Sequence, residues 1–374
     1  MKITKIEVVH IKVPLKKPYN LSKAYGTLRT TEPIVVKMYT DEGFMGIGET
    51  DPMSMFTGEN PETVKVVIKN YLGPAIIGAE PVNIAKIHEK MDCIVKDNYL
   101  AKAAIDMACY DIMGKVTDFP VHTLLGGKLR KRIPIMGALG SDKPENNAKE
   151  ALEIKKSGYS SIMIKVGALD VLADAERVKA VREAVGDGFP LIVDANQGWD
   201  SGTAIKFVRL VEKYNIALLE QPVPYWDIDG MARVRKSIDI PVSADESLFS
   251  IHDAARLIRE KAADLFSIKV AKHGGIYKAK QIMDLADAFG IPCMMNSMIE
   301  EGITQAASLQ LGASARNLWG VGHAYSSPTR LEDDISDYSD QIIDGNVEVN
   351  EKPGLGIRII EEKLERYKID EFTV

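Results

Sequence analysis

Leu191-Ile192-Val193-Asp194, Ala217-Leu218-Leu219-Glu220 and Pro241-Val242-Ser243-Ala244-Asp245 follow one another along the chain, and each is a short apolar run that meets an acid. Working outward, similar runs recur roughly every 25–30 residues, at 133–138, 162–166, 191–193, 216–219, 240–244, 265–270, 291–295 and 318–321. Between them lie amphipathic stretches with helical period, such as 172–184, 202–214, 251–261 and 277–289. Short strands that are apolar on both faces and alternate with helices mean parallel β/α units, because helices cover both sides of such a sheet. Eight runs are the count for a closed (β/α)8 barrel of the TIM type, an α/β fold. An open doubly wound sheet is the alternative. It wants a glycine-rich phosphate turn after its first strand, and none is visible.

The residues before the barrel read differently. Residues 3–13 alternate apolar and polar, and 33–39 and 43–49 are β-rich segments joined by the turn Thr40-Asp41-Glu42-Gly43. The glycines of Gly43-Phe44-Met45-Gly46-Ile47-Gly48 do not match GxGxxG and are read as sheet geometry. From 61 to 116 the chain reads as helices, one opened by Pro61 in its first turn and one with clear periodicity over 101–115. Strands followed by helices make an α+β unit. The tail from about 340 is mixed and is expected to pack back on that unit. The division is therefore 1–125 with 340–374 as an α+β unit, and 126–339 as the barrel.

Composition narrows the function. The chain has 374 residues, 45% hydrophobic and 27% charged, with a net charge of −6. That excludes a disordered, collagen-like or coiled-coil protein and fits roughly two domains. A mildly acidic chain is not built to coat nucleic acid or a membrane surface. No apolar run approaches the roughly 20 residues that a bilayer requires. Met1-Lys2-Ile3-Thr4-Lys5 has no apolar segment behind its charges, so no signal peptide is expected. Cys93, Cys109 and Cys293 are odd in number and widely spaced, which fits free thiols in a cytoplasmic protein rather than disulfides or a zinc–thiolate site.

The chemistry sits where the runs end. Lys165 ends Ser161-Ile162-Met163-Ile164-Lys165, Asp194, Glu220 and Asp245 follow three successive strands, Lys269 sits in Phe266-Ser267-Ile268-Lys269, and Glu300 lies beyond Cys293-Met294-Met295-Asn296. In a parallel barrel all of these ends open on one face, where active sites form. One charge at a strand end is ordinary solvated polarity; three successive carboxylates are not. Converging within a few ångströms they would repel, and they coexist only if protonated or neutralised by a cation. Oxygen ligands without His or Cys select a hard ion, Mg²⁺, with Mn²⁺ as a possible substitute.

Lys165 and Lys269 come from strands two and six, on opposite sides. An ammonium near a divalent cation inside an apolar barrel is disfavoured, so the lysine pKa should fall toward that of a general base. Two such lysines would face both sides of one bound carbon. A metal between them would bind a substrate carboxylate and stabilise the enediolate formed when its α-proton leaves. A salt bridge to the carboxylates is the plain structural reading of each lysine alone. A Schiff-base lysine is another, but it leaves three carboxylates without a role.

These residues resemble the enolase superfamily, in its mandelate racemase/muconate lactonizing enzyme family and the muconate lactonizing subgroup. The resemblance spans essentially the whole chain. It is carried by Ile164-Lys165-Val166-Gly167, Val193-Asp194-Ala195-Asn196-Gln197-Gly198-Trp199, Leu219-Glu220-Gln221-Pro222, Ala244-Asp245-Glu246-Ser247 and Ile268-Lys269-Val270-Ala271-Lys272-His273-Gly274-Gly275, in order, with Ala103-Ala104-Ile105-Asp106-Met107-Ala108-Cys109-Tyr110-Asp111 upstream. It implies a modified (β/α)7β barrel under an α+β capping domain. It also implies Asp194, Glu220 and Asp245 as Mg²⁺ ligands, Lys165 and Lys269 as the acid/base pair, and Glu300 at the substrate carboxylate or its partners. Specificity loops would fall near 20–28 and 50–58, and homo-oligomers are common in the family.

Two departures matter. The family usually has Lys-x-Lys on strand two; here Met163 takes the first position, pointing into the barrel with Lys165 by period-two alternation. A cation beside the base is missing, which weakens carboxylate binding, although barrel packing alone also accounts for Met163. Dipeptide epimerases of the family carry Asp-x-Asp after strand eight to hold a substrate ammonium. Aligning on Ser327-Pro328 puts Ala324 and Ser326 there, which argues against dipeptides. Met163, Asn296, Ser326 and Glu300 are the expected substrate contacts. The sequence thus points to a Mg²⁺-dependent isomerase that abstracts the α-proton of a small carboxylate, a racemase or epimerase. Cycloisomerisation or dehydration is the alternative within the same chemistry, and a Schiff-base lyase or an inactive metal-binding scaffold lies outside it.

Overall fold

The computed structural model describes residues 1–374. Seven strands form one ladder: Met136–Leu139, Ser161–Lys165, Leu191–Asp194, Ile216–Glu220, Val242–Ala244, Leu265–Ile268 and Cys293–Met295. Every neighbouring pair is parallel. Helices follow the strands on the outside, and the chain marks several starts with side-chain caps. Asp170, Asp200, Asp227 and Ser250 each accept a backbone N–H of the first turn.

The expected eighth strand at 318–321 does not form a ladder. Leu318 makes one parallel bridge to Cys293, and His323 makes one to Ile135. The ring closes through separate bonds: Trp319 N–H to Cys293 O at 2.8 Å, Ala324 N–H to Met295 O at 3.0 Å, and Met136 N–H to His323 O at 2.8 Å. Gly320 within this run and Gly322 just after it weaken a strand here, although Leu318 and Trp319 still pack against the core. The first run also divides. Arg132–Pro134 pairs antiparallel with Asn346–Glu348 of the tail, and Met136–Leu139 alone enters the barrel.

The barrel interior is plugged by Met136, Met163, Ile192, Leu218, Leu265 and Met294, one residue from each of six strands. Side chains two apart on a strand share a face. The positions two beyond Met163, Ile192, Leu218 and Met294 are Lys165, Asp194, Glu220 and Asn296. The apolar plug is thus the floor on which the polar strand ends stand.

The N-terminal unit is a four-stranded antiparallel sheet in the order Lys368–Thr373, Ile3–Ile11, Ile34–Thr40, Met45–Thr50, so the C-terminal strand pairs with the first. Helix Tyr99–Thr117 lies against Met45–Thr50 and is buried on nearly every side. The close approach explains the glycines. A Cβ on Gly48 would stand 1.9 Å from Ala104 O, and one on Gly46 would stand 2.2 Å from Ala108 O. Two buried acids tie this helix to the rest. Asp106 accepts from the N–H of Ile276 at 2.5 Å, in the barrel, and Asp111 from that of Leu355 at 2.9 Å, in the tail.

Candidate active site

Parallel register sets the site. Lys165 is the neighbour of Asp194 across one pair of strands, and Asp194 is the neighbour of Glu220 across the next. Glu220 pairs with Ser243, two residues before Asp245. Adjacent strands lie about 4.8 Å apart, so these ends form one continuous polar arc. All three carboxylates are buried.

The convergence expected of these acids takes a different form. No three acidic, His or Cys side chains stand at metal-ligand spacing. Asp194 Oδ2 instead accepts from Lys165 Nζ at 2.5 Å, and Asp245 Oδ2 accepts from Lys269 Nζ at 2.6 Å. Asp245 Oδ1 accepts from Lys272 Nζ at 2.7 Å. Glu220 Oε1 accepts from Asn296 Nδ2 at 2.8 Å. The ammonium groups neutralise the two aspartates, each held by a lysine at hydrogen-bond distance.

The electrostatics follow from this pairing. Burial pushes the Glu220 carboxyl well above its usual range, and the charges of Asp194 and Asp245 push it further. Burial would also raise Asp245, but Lys269 and Lys272 outweigh it and hold that carboxyl below the usual range. The lowered lysine pKa expected from the sequence belongs to lysines beside a divalent cation; the ion pairs of Lys165 and Lys269 act in the other direction. Burial lowers both, yet Asp194 lifts Lys165 and Asp245 lifts Lys269 above the ordinary lysine range. The physical reason is the ion pair each lysine makes at hydrogen-bond distance.

Asp194, Glu220 and Asp245 fit a divalent cation in one specific respect. Glu220 Oε2 is buried and has no hydrogen-bond partner, beside two further acids on the adjoining strand ends. An orphaned carboxylate oxygen in a set of hard oxygen donors is what Mg²⁺ takes.

Above the arc lies a cavity of about 750 Å³. Lys165, Lys269, Met163, Asn196, Asn296 and Ser326 line it from the barrel; Tyr19, Leu21, Tyr25, Leu28, Met53 and Phe56 line it from the cap. Both cap segments expected to set specificity therefore contribute. Phe56 covers Lys269, with Nζ 4.1 Å from the ring centroid. Tyr25 closes the 20–28 segment on the strand ends. Its hydroxyl donates to Glu246 Oε1 at 2.7 Å and accepts from Gln197 Nε2 at 2.7 Å.

Of the expected substrate contacts, Met163, Asn296 and Ser326 line the cavity and Glu300 does not. The Glu300 carboxylate is turned inward, where it accepts from Ser297 Oγ and Gln305 Nε2. Ile299, in the left-handed region at φ 77°, makes the turn before it. Met163 both packs in the barrel plug and lines the cavity. His273 is fully buried, with Nδ1 2.8 Å from Phe249 O. Sequence reasoning gave no role to Lys272, Glu246 or Arg330. The spacing of Lys272, three residues after Lys269, was a usable signal for the first.

A seven-stranded parallel barrel capped by an α+β unit, with acids and two lysines at adjoining strand ends, defines an enolase-type fold. Residues 3–126 match the mandelate racemase/muconate lactonizing enzyme N-terminal domain, and residues 146–363 match the enolase C-terminal domain-like model. The chain belongs to the mandelate racemase/muconate lactonizing enzyme family of the enolase superfamily. It is 39% identical over 370 residues to the N-succinyl-L-Arg/Lys racemase of Bacillus cereus, covering 99% of this chain and 98% of the relative. The crystal structure of that racemase superposes with a TM-score of 0.96 over 100% of both chains, at 38% identity. The hydrophobic dipeptide epimerase of Enterococcus faecalis is 40% identical over 321 residues, covering 85% of this chain and 89% of the relative. A structure of a dipeptide epimerase from that organism, complexed with Mg and the dipeptide L-Leu-L-Tyr, aligns with a TM-score of 0.90 at 37% identity, over 96% of this chain and 99% of that one. A chloromuconate cycloisomerase of Cupriavidus pinatubonensis is similar at 32% over 337 residues, 89% of this chain and 90% of the relative.

Proposed function

We propose that this chain is a Mg²⁺-dependent racemase or epimerase acting at the α-carbon of a small carboxylate whose α-amine is acylated. The observation that carries the reading is that Lys165 and Lys269 open on one cavity from strands two and six. The names of the relatives support it, since an N-succinyl amino acid and a dipeptide share an acylated amine beside the reacting carbon. The relatives at 39 and 40% identity are a racemase and an epimerase, so the cycloisomerase alternative has less support.

In this reading Asp194, Glu220 and Asp245 hold Mg²⁺. When bound, the ion supplies positive charge to the carboxylate from whose α-carbon a proton is leaving. With Asp194 and Asp245 serving as ligands, the ion pairs that keep Lys165 and Lys269 charged would be relieved; one lysine, neutral, would then accept that proton from its face of the carbon, and the other, as the ammonium, would return one from the opposite face. Asn296 and Lys272 hold Glu220 and Asp245 in place. Tyr25 and Phe56 shield the reacting carbon from bulk water. Three free cysteines support a reducing, cytoplasmic setting, and the family resemblance supports a homo-oligomer. No helix is long and apolar enough to cross a membrane.

The test is incubation with a panel of N-acyl amino acids in D₂O with Mg²⁺, followed by mass and chiral analysis. The expected result is α-deuterium incorporation with loss of optical purity, abolished by EDTA and restored by Mg²⁺. No exchange across the panel would overturn the reading.

A further inference from the structure

We propose that Arg330 reads a second negative charge, carried on the N-acyl group of the substrate. The proposal rests on the racemase reading above and deepens it. Arg330 closes the short turn Ser327–Arg330 after the barrel-closing segment and lines the same cavity as Lys165. Its Cζ lies over the Tyr19 ring, on the cap, 3.8 Å from the centroid, so an aromatic face holds the guanidinium in place. One Nη2 hydrogen bond goes to Ala138 O at 3.1 Å. Ala138 is the register neighbour of Met163, which places the guanidinium one strand over from the strand that carries Lys165.

Arg330 makes that one hydrogen bond and no ion pair, although a guanidinium offers five N–H donors. The acids that line the same cavity are engaged elsewhere or stand alone. Asp142 accepts from Asn146, Glu153 pairs with Lys156, and Glu150 makes no ion pair. A fixed, half-buried guanidinium with open donors is suited to a carboxylate, which it binds through two parallel N–H···O bonds. Ala324 and Ser326 put no acid on this wall, so a substrate ammonium has no partner there. The wall selects an acyl group that ends in an anion over a free amino terminus. This charge lies apart from the α-carboxylate assigned to the Asp194, Glu220 and Asp245 arc.

The experiment compares an N-succinyl amino acid with its N-succinamyl analogue, which replaces the distal carboxylate by a neutral amide of the same shape. Both kcat/KM for α-deuterium exchange and Kd by calorimetry are measured for the wild type, Arg330→Lys and Arg330→Met. The wild type is expected to favour the succinyl compound by on the order of 100-fold in both quantities. Arg330→Met is expected to bring that ratio near one, with Arg330→Lys intermediate. A wild-type ratio near one, a ratio unchanged in Arg330→Met, or an equal loss on both compounds would each overturn the proposal. Discrimination in Kd without any exchange would retain Arg330 as the reader while removing the racemase reading, so the two failures are distinguishable.

Discussion

Lys272 donates to Oδ1 of Asp245 at 2.7 Å while fully buried, and the same ammonium donates to the backbone carbonyl of Asp245 at 2.8 Å. Its third bond goes to Ser267 O at 3.0 Å. All three donors of the ammonium are therefore used, and Lys272 fixes both the side chain and the main chain of one strand-end acid. The other carboxylate oxygen is left to Lys269.

Removing that clamp exposes its energetic weight. Lys272→Met keeps a long apolar stem but leaves a buried carboxylate with one ammonium in place of two. Breaking a buried pair from one side costs roughly 3 kcal/mol or more, because a desolvated charge loses its partner. Urea denaturation should show a loss of that order. A loss below about 1 kcal/mol would mean that Lys269 alone neutralises the site.

The seam between cap sheet and helix gives a second test. Gly48→Ala places a methyl against Ala104 O, a backbone atom that has no room to give. It should destabilise the protein by about 2 kcal/mol or more. Gly188→Ala, where nothing lies within 4 Å, serves as the control and should shift stability by less than about 0.5 kcal/mol. Equal midpoints for the two variants in denaturant would contradict the packing described for the cap.

The barrel closure should make the protein acid-sensitive through His323. Met295 N–H donates to Nδ1 at 3.0 Å, and Nε2 lies 2.8 Å from Trp319 O, so the ring is held neutral with its proton on Nε2. Burial depresses its pKa to about 3 from the usual 6.5. The folded value lies below the unfolded one, so the unfolded chain takes up the proton first. The stability conferred is complete above about pH 6.5 and is lost as pH falls from there toward 3. Between about pH 7 and pH 4, wild type should lose more stability in urea than His323→Gln. Parallel losses in the two proteins would contradict a role for this imidazole.

The fold was legible because strand and helix periods differ and because each barrel strand is apolar until its polar end. The arc of Asp194, Glu220 and Asp245 was legible for the same reason, since an acid after an apolar run stands out. The closing segment was not. Its run at 318–321 resembles the others in composition, and its pairing by single bridges at Leu318 and His323 in place of a ladder is not written there. The pairing of each lysine with an aspartate depends on register between strands and on side-chain direction, which no single segment records. The bonds of Glu300 to Ser297, which lines the cavity, and to Gln305 depend on the local turn at Ile299, which the linear pattern does not mark. Arg330 lies in a short turn without periodicity, so nothing in the linear pattern marks it as facing the same space as Lys165.

Stereochemistry gives the most direct test of the central claim that two lysines serve one carbon from opposite faces. Lys165→Ala and Lys269→Ala should each be incubated in D₂O with each pure enantiomer of a turned-over substrate, and α-deuterium followed by NMR. The account predicts that each variant loses exchange of one enantiomer by at least about 100-fold, and that the two variants lose opposite enantiomers. Loss of the same enantiomer in both variants, or full exchange of either enantiomer in the double variant, would contradict it.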